Sequence, residues 1–523
     1  MRSKARIVAF LVAVLCLAVA VAGCGGKKDA KPAAMDKIVI AQSSDALFLD
    51  PHQQDETPTN SVVSNIYDAL VERTADLKFV PGLAEKWEQK DPLTWVFTLR
   101  KGVTFHNGSA LTAEDVVFSF ERMKKNKVTS PIVGMIASVK KLDDSTVEIK
   151  TAAPYASLPA TAAKVLIMNK EYVTKVGDQE CNLKPIGTGP YKLVEWVKED
   201  HLTLQAYDKY WKGPAEIKNV IFRPISNEAT RTAALLSGEV QLITDVPVRD
   251  ADQVAKNDKL QLAGIPSLRM IYLQVDVTRD KTPGIDLPKN PFTDERVRQA
   301  ARMSIDVNAI IKSIMNGHAF PTSQGFPKQI AGYVDDIKAV KYDPEQAKKL
   351  LADAGYANGF TVTLDSPNNR FQNDFKIAEA IAAQWAKVGI NVKLNLMPKS
   401  IFFDYVRPGD KTTVCLTSWA VTTGEAGDFY RPMFYTRGVK GLGMSNRGHF
   451  SNPAFDGLMD KADSTASMEE RTKYLQEATR LLDKEMPFIP ILLMEDSYGV
   501  TKNLDFKPRL DAYVYVYDIK YKK

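Results

Sequence analysis

Thr94-Trp95-Val96-Phe97-Thr98-Leu99-Arg100, then Lys101-Gly102-Val103-Thr104-Phe105-His106-Asn107-Gly108 and Leu111-Thr112-Ala113-Glu114-Asp115-Val116-Val117-Phe118-Ser119, is the stretch from which the fold can be read. It passes from a strand-like run through a turn to a helix start. Thr112 followed by Asp115 ahead of an apolar run is a capping-box pattern, with both acids beside the positive end of the coming helix. Outward from it, strand-like and helical runs alternate along the chain, the pattern of an α/β protein. Pro344 to Ala354 reads as a helix with Pro in its first turn and Gly355 beyond its end. Gly359–Leu364 reads as a strand, Asp374–Val388 as a helix stopped by Gly389, and Val392–Leu396 and Thr413–Thr417 as strands. Strands of such a lobe end in polar loops, where open sheets bind ligands. Gly187–Trp196 and Leu268–Val275 flank a middle block with a helix near Glu228–Leu236, and are candidate crossings between lobes.

The chain has 523 residues, 45% hydrophobic and 25% charged, an ordinary globular composition. That length exceeds the roughly 250–300 residues at which single cores stop growing, so at least two lobes are expected. The 69 basic and 63 acidic side chains give +6, and removal of Arg2, Lys4 and Arg6 leaves +3, too little for a nucleic-acid binder. Those three charges open a leader. Ile7 to Ala22 is an unbroken apolar run of 16 residues, short of the roughly 20 that span a bilayer. It ends Val21-Ala22-Gly23-Cys24, which resembles a bacterial lipobox and implies lipidation of Cys24, with residues 1–23 removed. Several acyl chains anchor stably where one does not. Residues 24–36 are small and polar and read as a flexible tether.

Cys181 and Cys415 remain in the body, 234 positions apart. An exported compartment permits a disulfide between them, and the spacing does not require one. The five His show no metal-ligand spacing, and serine-elbow and phosphate-loop motifs are missing. Gly187-Thr188-Gly189-Pro190 reads as a turn, since Pro190 removes an N–H where a phosphate-binding helix would need one. No enzyme activity, cofactor or metal is expected.

Gly82-Leu83-Ala84-Glu85-Lys86-Trp87 and the stretch quoted first closely resemble the signature of the extracellular solute-binding proteins of peptide-type (dipeptide, oligopeptide, nickel) ABC importers. The resemblance continues through Gly187-Thr188-Gly189-Pro190-Tyr191, Asp294-Glu295-Arg296-Val297-Arg298-Gln299-Ala300, Ile305-Asp306 and Asp343-Pro344-Glu345-Gln346-Ala347. It implies an α/β, two-lobed periplasmic-binding-protein-like fold with an extra domain. The implied division is a discontinuous first lobe (37–76, 185–268 and 496–523), an extra domain (77–184) and a second lobe (269–495). It also implies a monomer that encloses a short peptide or small solute by hinge closure and delivers it to permease subunits. Two alternatives stay open: an exported sensory or interaction protein, and a receptor for a non-peptide solute such as a metal chelate or an opine-like compound.

By the same resemblance, the acid that meets a ligand ammonium lies in Ser418-Trp419-Ala420-Val421-Thr422-Thr423-Gly424-Glu425-Ala426-Gly427-Asp428. Glu425 falls on it, with Asp428 as the rival. Arg370 is the match for the carboxylate-binding Arg, because its fork bonds a planar carboxylate bidentately. Asn373 and Asp374 either orient it or cap the next helix. Trp419 is expected to stack on ligand, Arg269 is a further cation on a hinge strand, and Asp45 and Leu47 are expected as edge contacts from the first loop.

Overall fold

A computed structural model describes residues 37–522; the leader and the tether, Cys24 included, lie outside the described residues. The strands are, in order, β1 (Lys37–Gln42), β2 (Val71–Arg73), β3 (Phe79–Pro81), β4 (Ala84–Asp91), β5 (Thr94–Leu99), β6 (Ile136–Asp143) and β7 (Thr146–Thr151). They continue with β8 (Tyr191–Val197), β9 (His201–Ala206), β10 (Asn219–Pro224), β11 (Leu242–Thr244), β12 (Leu260–Val275) and β13 (Ala319–Pro321). The last are β14 (Phe360–Pro367), β15 (Ile390–Met397), β16 (Val414–Ala420), β17 (Phe488–Thr501), β18 (Leu504–Asp505) and β19 (Lys520–Tyr521).

One sheet of 11 strands runs through the molecule in the order β15-β14-β16-β12-β17-β11-β1-β10-β9-β8, with β13 on β17. A separate four-stranded sheet, β4-β5-β7-β6, carries the stretch that opened the sequence reading. Its helix Ala113–Lys125 starts as the capping box requires, with Asp115 Oδ2 accepting from Thr112 N at 2.9 Å. Trp95, Phe97, Val116 and Phe120 then close a core beneath that sheet, which Leu70, Val71 and Leu158 also enter.

The long antiparallel pair β12·β17 is common to both halves of the large sheet. Leu260 faces Thr501 at one end and Gln274 faces Phe488 at the other, with register shifts between Pro266 and Met270 and between Ile271 and Tyr272. Alternation along β12 feeds two cores: Ile271, Leu273 and Val275 enter one, Leu268, Met270 and Tyr272 the other. Both faces of this half are therefore buried. The lobe boundaries expected at 268/269 and 495/496 fall inside these unbroken strands. The crossing expected at Leu268–Val275 is thus part of a strand serving both halves. Gly187–Trp196 is not a crossing of this kind, because Tyr191–Val197 pairs only with β9 and forms the far edge.

The helix expected from Asp374 runs to Ala386, and its Trp385 is fully buried with Nε1 donating to Ala301 O at 2.9 Å. Cys181 and Cys415 are free and buried in different cores, so no disulfide links the halves. Among the described residues no helix is long and apolar enough to cross a membrane.

Gly187-Thr188-Gly189-Pro190 is a turn pressed against the backbone of Ile66. A Cβ on Gly187 would lie 2.0 Å from Ile66 O, and one on Gly189 2.6 Å from Ile66 C. Thr188 Oγ1 meanwhile donates to buried Asp68 at 2.9 Å. Gly457, inside the helix Pro453–Ser464, has open space where its Cβ would be. Gly187→Ala is expected to cost at least about 1–3 kcal/mol of stability, and Gly457→Ala to gain up to ~1 kcal/mol, measured by urea denaturation. Equal midpoints for the two variants would refute this packing account.

Candidate functional site

β14, β15 and β16 run parallel, so Pro367, Met397 and Ala420 bring three strand ends to the same side of the sheet. β1 is parallel to β10 and β11, which end at Pro224 and Thr244. An open cavity of ≈ 610 Å³ lies between loops of the two halves, lined by Glu228 and Arg249 on one side and by Arg370, Phe371, Asn373 and Lys376 on the other.

Arg370 is exposed at this cavity. Its amide and that of Phe371 donate to Asp374 Oδ2 at 2.8 and 3.0 Å, which fixes the loop that presents it. Its guanidinium lies 5.3 Å from the Phe371 ring, and no acid among the described residues is within ion-pair distance. Arg269, on β12 opposite Ala420, donates from Nη1 to Ser418 Oγ at 3.0 Å and likewise has no ion-pair partner among them. Burial and the nearby Arg370 charge both lower its pKa, against an upward pull from Asp496. The structure thus brings together two cations that lack a counter-ion. Trp419 is half-buried beside them, its ring 6.4 Å from Phe429 and its buried Nε1 without a partner.

Other expected contacts fall elsewhere. Asn373 takes a left-handed backbone, φ 59°, and spends its Nδ2 on Ile314 O at 2.9 Å, tying two helices together. Asp45 accepts from Trp196 Nε1 at 3.1 Å and Glu199 N at 2.9 Å, so its carboxylate is occupied at the β8–β9 turn. Leu47 is 54% exposed and follows the same loop outward.

Glu425 is the main correction. Arg471 donates to it from Nε and Nη2, both at 2.7 Å, Arg431 from Nη1 at 3.2 Å and Ser157 from Oγ at 2.9 Å. Burial pushes its carboxyl up, but the bonds and charges of Arg471 and Arg431 outweigh that and hold it at about 2. With every lone-pair direction engaged, it has no place for a ligand ammonium. It joins the second half of the molecule to Ser157, which follows the four-stranded sheet. Neither Arg431 nor Arg471 was legible as its partner: Arg431 lies in an aromatic-rich helix, Gly427–Phe434, and Arg471 in a polar one, Met468–Glu485, and neither setting marks a pairing with Glu425.

Asp428 holds the loop through Oδ2, accepting from Thr422 N at 2.7 Å and Thr423 N at 3.1 Å. Its Oδ1 makes no protein hydrogen bond among the described residues. Asp496, which the sequence reading missed, is pushed by burial to about 7, against a lowering bond from Ser267. The metal-like grouping Asp50, Asp178 and Cys181 is already filled by a cation: Arg122 bonds Asp50 at 2.5 Å and Asp178 at 2.7 Å.

Glu425→Gln is expected to destabilise the protein by about 3–5 kcal/mol, because two buried guanidinium groups lose their counter-charge. The native Glu425 contribution is present above its unfolded pKa and is lost as pH falls toward 2. Asp496 has the opposite sign: its raised pKa favours the native state at low pH, and that contribution disappears as pH rises through about 7. Asp496→Asn is expected to flatten the stability profile between pH 4 and 7 and to exceed the parent at pH 8, as read by thermal unfolding. A parallel pH profile for parent and Asn variant would overturn the assignment.

Comparison with known proteins places this geometry in a family. The model of the bacterial extracellular solute-binding proteins, family 5 Middle, matches residues 78–441. Heme-binding protein A of Haemophilus influenzae is 30% identical over 494 residues, covering 88% of this chain and 86% of that protein. The dipeptide-binding protein of Escherichia coli K12 is 30% identical over 459 residues, covering 82% and 83%. The solved structure of HbpA2 from Haemophilus parasuis superposes with a TM-score of 0.84 at 26% identity, covering 93% of this chain and 100% of that one. The chain belongs to the family 5 bacterial extracellular solute-binding proteins.

Proposed function

We propose that this chain is the solute-binding component of an ABC importer. It captures a short peptide or related small solute between its halves, closes about β12 and β17, and presents the closed form to membrane permease subunits. The observation that carries the reading is the pair Arg269 and Arg370, two cations without an ion-pair partner at the carboxyl ends of β14 and β16, beside a cavity shared by both halves. A buried ligand carboxylate needs such a partner, and removing it costs about 2–5 kcal/mol. The ammonium of a peptide goes to Asp428, whose Oδ1 is open, in place of Glu425. The division into 37–76 with 185–268 and 496–523, 77–184, and 269–495 is kept, with the hinge at the irregular Pro266–Met270 segment and its partners on β17. The protein works as a monomer without catalysis, outside the cytoplasm, held to the membrane through lipidated Cys24.

Native mass spectrometry of the full-length chain, purified without denaturant, is expected to show a departing series of short peptides. A single non-peptide mass would refute the peptide reading. Arg269→Met and Arg370→Ala are each expected to weaken binding of that ligand about 30-fold or more. Calorimetry giving less than threefold for both would sink the carboxylate assignment. Cys24→Ala is expected to move the protein from the membrane pellet to the soluble fraction, and continued pelleting would refute the anchor.

A further inference from the structure

Lysines gather where the described chain begins. Lys37 opens β1 in register with Asn219 of β10, which faces Gln205 of β9, which in turn faces Lys192 of β8. Residues in register across a sheet project from the same face, so this row marks one surface at the starting end of β1. Lys192, Gln205 and Asn219 line an open cavity of ≈ 700 Å³, and Tyr207, Lys209 and Lys218 line it with them.

The balance of charge there is positive. Asp208 is the one acid on the cavity wall, and Glu216, close by, accepts from Tyr521 N at 2.9 Å. His106, also on the wall, is held neutral, because burial pushes its pKa down to about 4. Lys192 Nζ lies 5.4 Å from the Tyr207 ring centre, and Lys218 donates to Ala215 O at 2.9 Å. Lys37 and Lys209 are exposed. Among the described residues none of these four lysines forms an ion pair, whereas Lys212 and Lys170 pair with Glu72 and Glu114 at 2.5 and 2.8 Å.

The position of the surface says what it meets. β1, β10 and β11 are parallel, and Glu228 and Arg249 of the cavity shared by the two halves follow the ends of β10 and β11. Lys37 and Asn219 stand at the starts, so the lysine surface and the shared cavity lie at opposite ends of these strands. Cys24 precedes Lys37 by 13 residues, at most roughly 45 Å of extended chain. That stretch adds Lys27, Lys28 and Lys31 against Asp29 and Asp36. Anionic headgroups attract exposed lysines within a Debye length, ~8 Å at physiological salt. A tether that keeps body and bilayer together makes such a short-range attraction effective.

We propose that the surface formed by Lys37, Lys192, Lys209 and Lys218 docks on the anionic phospholipid face of the membrane that holds Cys24, with the shared cavity turned toward the medium. This rests on the lipid anchor of the functional reading above and adds an orientation to it.

The test uses the full chain, purified from membranes in detergent and mixed into vesicles of phosphatidylcholine alone or with about one-third phosphatidylglycerol. Lysine acetylation rates are read residue by residue by mass spectrometry. Lys37, Lys192, Lys209 and Lys218 are expected to react threefold or more slowly on the phosphatidylglycerol vesicles, and Lys387 and Lys484 of the second half at unchanged rates. Salt at about 0.5 M, which shortens the Debye length, is expected to abolish the difference. Lys192→Glu with Lys209→Glu is expected to abolish it at Lys37 and Lys218, and Lys387→Glu with Lys484→Glu to preserve it. Equal rates on the two vesicles, equal slowing at Lys387 and Lys484, or protection that survives salt and Lys192→Glu with Lys209→Glu would overturn the docking surface. Pelleting with phosphatidylcholine vesicles at high salt reads the anchor separately. A chain that pellets there without lysine protection on phosphatidylglycerol keeps the anchor and loses the surface. One that pellets with phosphatidylglycerol vesicles alone, protected at these lysines and released by salt, upholds the surface and refutes the anchor. A chain that pellets with neither refutes both.

Discussion

The pairing of β12 with β17 is the constraint on which the rest of the molecule depends. Both strands are long enough to serve two separate cores, and they do so without a break in the sheet. In the second half, β12 is buried on both faces, so a one-residue slip would exchange the contents of two cores at once. Register is therefore held firmly there. Between Pro266 and Met270 the ladder is irregular, and Pro266 offers no amide. Rigidity on one side of an irregular segment is a geometry that lets two bodies change their angle while each keeps its own core.

That segment is also where charge accumulates. Arg269 sits within it and Asp496 lies opposite Ile265, just before it. Glu495 pairs with His318 at 2.8 Å and covers Gly264 so closely that any Cβ would strike its carboxylate. Ionisable groups on a strand pair shared by two cores feel charges from both halves of the molecule.

Glu425 shows how tertiary context reassigns a residue. A carboxylate in a loop after a strand end is chemically fit to meet an ammonium, and nothing local distinguishes that use from any other. Two arginines decide the matter by occupying both oxygens: Arg431, six residues on, and Arg471, 46 residues on. Once both guanidinium groups are bonded, the carboxylate is a strut between the second half and Ser157, and the neighbouring Asp428 keeps the open oxygen.

The sequence by itself determined the local elements and the architecture. The capping box at Thr112, the helix stop at Gly389 and the close turn at Gly187 depend on neighbouring residues or on a missing side chain, which a linear reading can detect. The ordered motifs from Gly82 to Ala347 were enough to name the family, and several of them mark a turn or a helix cap, as at Gly187, Asp294 and Asp343. The loop that carries Arg370 is held in the same local way, its amide bonded to Asp374 four residues on. Only the tertiary structure decided the state of the charges. Whether Glu425 is free or engaged depends on Arg471 and Ser157, which meet it from 46 and 268 residues away. Such pairings are set by packing of whole halves and leave no periodicity in the sequence. The boundaries expected at 268 and 495 lie within strands shared by two cores, whose alternation is the same throughout.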